Sequence, residues 1–177
     1  MDKDALRKEF LRLRNALTGK EAKAANRLVI RRLKADPAFK KAKQVLIYVS
    51  RGKEIGTHDL IKEISKEKEV YVPRVKGKTL QCVRFSSFEH LVKGEFGVLE
   101  PTKGKVVEVA DIDLVVLPGL AFDKEGYRLG YGWGYFDTLL KGYQGRKVAL
   151  AYSFQLVDSL PHDEWDVKVD EVITDTP

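Results

Sequence analysis

The sequence predicts a three-layer α/β/α domain around a central, mostly parallel or mixed sheet, on three observations. Short β-rich runs recur from residue 44 to the end, helical periodicity fills the first 36 residues and two later stretches, and several of the β runs are apolar throughout. A strand that is apolar on every residue is one covered on both faces, which requires helices above and below the sheet.

The elements follow in order. Leu6, Phe10, Leu13 and Leu17 recur at intervals of four, three and four, one stripe of an amphipathic helix that Thr18-Gly19 ends. The next run, "KEAKAANRLVIRRLKAD", sets Leu28, Ile30 and Leu33 among strong helix formers and stops at Pro37. Gln44–Ser50, Glu69–Pro73, Leu80–Phe85, Asp113–Pro118, Lys147–Tyr152 and Glu171–Thr174 then read as strands, with helices over Thr57–Lys66 and Tyr135–Tyr143. The strands holding Tyr71 and Cys82 are separated by the turn-like "KGK", which predicts a hairpin. Residues Glu89–Glu108 carry glycines and little periodicity and read as an irregular connection. With neither an internal repeat nor a low-complexity linker, residues 1–177 are expected to form one domain opening with two basic helices.

Composition narrows the class. With 44% hydrophobic and 33% charged residues the chain reads as a globular domain, and no apolar run reaches the length of a membrane span. The lone Cys82 has no internal disulfide partner and is read as structural in a reducing compartment. The opening "MDKDALRKEF" lacks the apolar core of a secretory signal, and its acids argue against an organellar presequence, so the expected location is the cytoplasm. Residues 1–43 hold 14 Lys and Arg against 5 Asp and Glu, while the rest holds 18 against 21; the net charge of +6 therefore belongs to the N-terminal segment. Such a patch suits an anionic partner or simply a solvated helix face.

Chemistry concentrates in "LPGLAFDKEGYRLGYGWGYFDTLL", which leaves a buried strand, passes a glycine-rich loop and enters a helix. Ligands of open α/β sheets sit beyond the carboxyl ends of strands, and backbone amides at a helix start attract phosphate. Two familiar phosphate signatures fail. "VPRVKGKT" has Val72 where a P-loop needs its first glycine, and G-x-G-x-x-G fails at Tyr135 after Gly130 and Gly132. His58, His90 and His162 have no metal-ligand spacing with one another or with Cys82, and no serine sits in a G-x-S-x-G elbow. Asp123, Asp137, Asp163 and Asp166 are all candidate oxygen ligands for magnesium, and spacing does not choose among them. On the residues alone, a nucleic-acid binder using the basic helices and a nucleotide-dependent kinase or ligase both remain open.

Taken together, Lys3-x-x-x-Arg7, Glu54 in "SRGKEIGTH", Pro73-Arg74 in "YVPR", the loop "LPGLAFDKEGYRLGYGWGYFD", "AYSFQ" and "DVKVDEVIT" resemble the 5-formyltetrahydrofolate cyclo-ligase family over nearly the whole chain. The resemblance implies ATP-dependent conversion of 5-formyltetrahydrofolate to 5,10-methenyltetrahydrofolate, with release of ADP and phosphate and Mg2+ as cofactor. No enzyme nucleophile is needed, in keeping with the absence of one. By motif, Lys3, Arg7 and the run Arg128, Leu129, Gly130, Tyr131, Gly132, Trp133, Gly134, Tyr135 and Phe136 are implied ATP contacts, with Arg128 and Tyr135 at the reacting centre. Val49, Glu54, Arg74 and Tyr135 are implied folate contacts, and Asp137 and Asp166 are the implied magnesium carboxylates. Phe136 is expected to pack rather than bind. Trp133, Phe136 and Thr138 depart from the residues common in the family, Trp133 most of all, since an indole between two glycines narrows the loop or forms a lid. The expected partners are ATP and 5-formyltetrahydrofolate, with or without a polyglutamate tail, and neither nucleic acid nor membrane; we expect a monomer.

Overall fold

A computed structural model describes residues 2–177. Seven strands form the central sheet: β1 (Gln44–Ile47), β2 (Glu69–Lys76), β3 (Thr79–Arg84), β4 (Val106–Val107), β5 (Leu114–Leu117), β6 (Arg146–Leu150) and β7 (Glu171–Ile173). Their spatial order is β7-β6-β5-β1-β2-β3-β4. The first five in that order run parallel, and β3 and β4 close the edge antiparallel. The mixed sheet and the β2–β3 hairpin are as the sequence predicts; Gly77, at φ +61°, makes the turn.

The apolar strands are covered on both sides. On one face Val45, Ile47, Val70, Val116, Val148 and Ile173 meet helices α2 (Gly19–Ala35), α3 (Pro37–Lys41) and α4 (His58–Ile64). On the other, Leu46, Tyr71, Val115, Leu117 and Ala149 meet the short α5 (Tyr135–Leu140) and the segment around Tyr143 and Val169. Neighbouring residues of one strand thus enter opposite cores, the period-2 geometry of a pleated strand.

Two helical details differ from expectation. Thr18 starts α2 rather than ending the helix before it: its side chain accepts from the Glu21 amide while Glu21 accepts from the Thr18 amide, a complete capping box. The buried face of α2 is Ala25, Val29 and Leu33, a spacing of four, whereas Leu28 is exposed. The stripe of the first helix, α1 (Lys3–Asn15), is apolar as predicted but packs away from the central sheet. Leu6, Phe10 and Leu13 lie on Leu120, Ala121, Leu129 and Leu160, around a small sheet of Leu156–Val157, Ala121–Asp123 and Arg128–Leu129.

The connection over Glu89–Glu108 is not irregular throughout. It holds an antiparallel ribbon, Leu91–Lys93 with Leu99–Pro101, and then supplies β4. These short strands lie among glycines and charged residues, without an apolar run or alternation to mark them in the sequence. Among the described residues, no helix is long and apolar enough to cross a membrane.

Asp123 fixes the turn that launches the glycine loop. One oxygen accepts from the Glu125 and Tyr127 amides at 3.0 Å each, the other from the Leu160 amide at 2.9 Å, and the residue is 3% exposed. Asp123→Ala leaves three backbone donors short of a partner and should cost about 3 kcal/mol of stability. Urea unfolding measures this; a midpoint unchanged from the parent would remove Asp123 from the frame of the loop.

Candidate active site

The chain leaves β1 toward β2 on one side, then returns to β5 on the other. The carboxyl ends of β1 and β5 therefore diverge, and a crevice opens at such a switch point. Here it is a cleft of about 320 Å³, within the size range of small-molecule sites. Tyr48 and Val49 line it from the end of β1, Pro118 from the end of β5, and Pro73, Val75 and Leu80 from the β2–β3 hairpin.

One end is cationic. α1 points its first turns into the cleft, bringing Lys3 and Arg7 to the glycine loop. The Arg7 Nε donates to the Gly130 carbonyl at 2.9 Å, and its Nη1 to Asp4 at 2.6 Å. Lys3 Nζ donates to Asp163 at 2.8 Å and Asp166 at 3.0 Å; burial works against its charge, but these bonds outweigh it and raise its pKa. Arg128 reaches back beneath the loop, donating from Nη1 to the Pro118 carbonyl at 3.1 Å, its guanidinium 5.3 Å from the Phe136 ring centre. Burial lowers the Arg128 pKa, and Asp137 and Asp166 oppose that shift.

The glycines serve these arginines. A Cβ on Gly130 would sit 2.9 Å from Arg128 Nη1, and one on Gly132 would sit 3.3 Å from Arg7 Cζ, where the backbone is also at φ +104°. Gly134, at φ +70°, is the cap residue of α5 and has open space around it. Among the described residues, the amides of Gly132 and Trp133 donate to no backbone or side-chain acceptor within the protein. Both residues line the cleft.

The opposite end holds a buried carboxylate. Glu54, 8% exposed, accepts from the Arg51 amide at 2.8 Å and from the Tyr131 hydroxyl at 3.1 Å. Burial raises its pKa, while the Arg51 amide, the Arg14 charge and the Tyr131 hydroxyl pull it back. Between the two ends lies an aromatic wall. Trp133, 43% exposed, stacks on Phe96 with ring centres 4.0 Å apart, and Tyr131 and Tyr135 flank it at 5.7 and 6.2 Å.

The structure thus brings Lys3, Arg7, Val49, Glu54, Asp137, Asp166 and the whole run Arg128–Phe136 to one cleft. Arg74 does not reach it. Its neighbours Pro73 and Val75 line the cleft, so alternation turns Arg74 to the other face of the hairpin, where Gln81 Oε1 accepts from its guanidinium at 2.9 Å. A folate contact for Arg74 is therefore withdrawn. Phe136 does both things at once: it packs into the core beside α5 and presents its face to Arg128. Thr138, where the family pattern has arginine, closes the first turn of α5 by donating from Oγ1 to the Gly134 carbonyl.

Sequence reasoning missed Phe96, Arg51, Tyr48, Glu100 and Trp165, all of which line the cleft. Only Phe96 left a signal: "GEFG" sets an aromatic between glycines at a loop tip, where Gly94 lies against the Glu100 side chain.

Gly132→Ala should raise the ATP concentration needed for half-maximal activity about tenfold while lowering thermal stability only modestly, since its strain falls on Arg7 and an exposed loop. Gly126→Ala should do the reverse, because its Cβ would meet the Val169 carbonyl at 2.4 Å inside the fold. Kinetics and melting on both variants separate the cases, and equal effects on stability would contradict this division.

The family model for the 5-formyltetrahydrofolate cyclo-ligase family matches residues 1–175. A curated relative, the 5-formyltetrahydrofolate cyclo-ligase of Mus musculus, is 35% identical over 97% of this chain and 92% of its own; that of Haemophilus influenzae is 30% identical over 95% of each. Among solved structures, the 5,10-methenyltetrahydrofolate synthetase of Aquifex aeolicus superposes with a TM-score of 0.90 at 43% identity, covering 100% of this chain and 91% of that one. That of Mycoplasma pneumoniae gives 0.81 at 30% identity over 99% of each. The chain whose switch-point cleft is described above belongs to the 5-formyltetrahydrofolate cyclo-ligase family.

Proposed function

We propose that this chain carries out its family's reaction, the ATP-dependent conversion of 5-formyltetrahydrofolate to 5,10-methenyltetrahydrofolate, with ATP at the Lys3–Arg7–glycine loop end of the cleft and the pterin at the Glu54 end. The observation that supports the assignment is one cleft lined by Lys3, Arg7 and a glycine loop with unpaired backbone amides on one side and by a buried carboxylate, Glu54, on the other. A triphosphate is met by the first and an amino-pyrimidine edge by the second, whose N–H groups suit a carboxylate acceptor.

In this reading the γ-phosphoryl group passes to the formyl oxygen, the neighbouring folate nitrogen attacks the activated carbon, and phosphate leaves as the ring closes. The protein's part is positioning and charge compensation rather than covalent chemistry. Arg128 sits beneath the loop, where charge builds on the transferring phosphoryl group, and Arg7 and Lys3 bracket the phosphates from α1. Tyr135 lines the cleft from the start of α5, and in this reading it sits between the two ligands. Phe96 and Trp133 cover the cleft and exclude water from the activated intermediate, whose hydrolysis would waste the phosphoryl transfer.

Asp137 and Asp166 fit a magnesium ion that arrives with ATP. Asp137 Oδ1 accepts from the Val167 amide and Asp166 Oδ2 from Lys3 and the Asp163 amide, so each carboxylate keeps one oxygen outside the protein's hydrogen bonds among the described residues. Magnesium at such sites is commonly held by one or two carboxylates together with substrate phosphates and water. Bound there, magnesium would neutralise charge on the phosphates. The proposal extends to a cytoplasmic monomer that accepts folates with or without a polyglutamate tail.

Purified protein mixed with 5-formyltetrahydrofolate, ATP and magnesium should develop the near-ultraviolet band of the methenyl product with equimolar ADP. A folded sample that yields neither across a range of pH and salt would refute the assignment. Asp137→Asn should keep the fold and shift the magnesium dependence of turnover several-fold to higher concentration, because the amide lacks the charge that attracts a hard cation. An unchanged titration curve would remove Asp137 from the metal site.

A further inference from the structure

Arg14 lies one side-chain layer behind the cleft and has no assigned role. It ends the buried face of α1, is 4% exposed, and forms no ion pair with any described residue, although a guanidinium enclosed in protein ordinarily has a carboxylate within reach. Its Nε is buried with no hydrogen-bond partner. Its Nη2 donates to the Tyr131 hydroxyl at 2.8 Å, and that hydroxyl donates to Glu54 Oε2 at 3.1 Å. The three groups form a chain with one polarity: cation, neutral hydroxyl, carboxylate.

We infer that Arg14 is a positioning residue for the folate end of the cleft: acting through Tyr131, it holds Glu54 in its charged form and aims it at the substrate. Tyr131 cannot turn its proton elsewhere while accepting from Arg14, so its hydroxyl is committed to donating toward Glu54. The oxygen that accepts from the Arg51 amide is likewise fixed, and the carboxylate plane is set from two sides. The groups facing Glu54 are Arg14 from α1, Arg51 and Tyr48 from the segment after β1, Tyr131 from the glycine loop and Tyr152 from the segment after β6. Arg51 is the other cation among them, but its guanidinium lies 4.9 Å over the Tyr131 ring and donates to the Phe96 carbonyl, toward the cleft mouth. Arg14 is the charge held behind the carboxylate.

The sign of the consequence is fixed. Burial raises the Glu54 pKa, and the Arg14 charge opposes that rise. Removing the charge lifts the pKa further, so the carboxylate is lost at a higher pH on acidification. Binding that needs the carboxylate then fails at a higher pH, while well above that pH it falls only by what misorientation costs.

The inference rests on placing the pterin at Glu54, and the test separates the two. Binding of 5-formyltetrahydrofolate without ATP is measured by titration calorimetry from pH 5 to pH 8 for the parent, Arg14→Met, Arg14→Lys, Tyr131→Phe and Glu54→Gln. Glu54→Gln should weaken binding at least tenfold and abolish its dependence on pH in the acid range; binding like the parent's would overturn the placement of the pterin itself. If that placement holds, Arg14→Met and Tyr131→Phe should weaken binding several-fold at pH 7, more at pH 5, with the acid limb moved to higher pH, and Arg14→Lys should restore most of the limb. Tyr131→Phe keeps the ring that Trp133 and Arg51 pack on, so it tests the hydroxyl even if Arg14→Met folds poorly. In the Glu54→Gln background neither change should weaken binding further. An equal loss at every pH, or the same loss with and without Glu54, would overturn the inference and leave Arg14 a packing residue.

Discussion

The parallel pairing of β1 with β5 is the constraint on which the rest of the site depends. Val45, Leu46 and Ile47 are in register with Leu114, Val115 and Val116, every one of them buried, so the two strands cannot slide without inverting both cores. That register places Tyr48–Glu54 and Pro118–Gly119 at the same height, where the strands stop and the chain departs to opposite sides. The cleft is what lies between them. Glu54 arrives by the first departure and Arg128 by the second, so the sheet brings the carboxylate and the cation to one cleft.

Around that frame the glycine loop makes room for arginines. Gly130 and Gly132 are small where the guanidinium groups of Arg128 and Arg7 approach the backbone, and all four residues line the cleft. A charge preorganised by the fold stabilises a developing anion without having to be reoriented during the reaction. α1 has a related double use. Its apolar stripe holds it on the small sheet through Leu6, Phe10 and Leu13, and that anchoring points Lys3 and Arg7 at the loop from one end and brings Arg14 to Tyr131 from the other.

The parts of this arrangement legible in sequence are those with long range order of their own. Six of the seven central strands and the four longer helical segments could be read from apolar runs such as "VLIYV" and "LVVLP" and from the stripe of α1, because each carries its own local pattern of apolar residues. β4 and the Leu91–Pro101 ribbon could not, since Val106–Val107 and their like are held by pairing partners rather than by their own pattern. The site divides in the same way. The glycine loop, Lys3, Arg7 and Glu54 were found by resemblance to a family motif, and the physics of spacing alone left four aspartates indistinguishable. Arg74 was misplaced for want of one fact, the face of β2 on which it lies, and Phe96 and Arg14 were missed because what matters about them is a contact across more than thirty residues of chain.

The account stands or falls on the division of one cleft between two ligands, and amide chemical-shift mapping reads that division directly. With uniformly 15N-labelled protein, MgATP alone should move the amides of Gly130, Gly132, Trp133 and Gly134, while 5-formyltetrahydrofolate alone should move those of Val49, Arg51 and Glu54. Each set should respond to its own ligand more strongly than to the other. Shifts by MgATP centred on Glu54, or by either ligand at a surface remote from the carboxyl ends of β1 and β5, would contradict it.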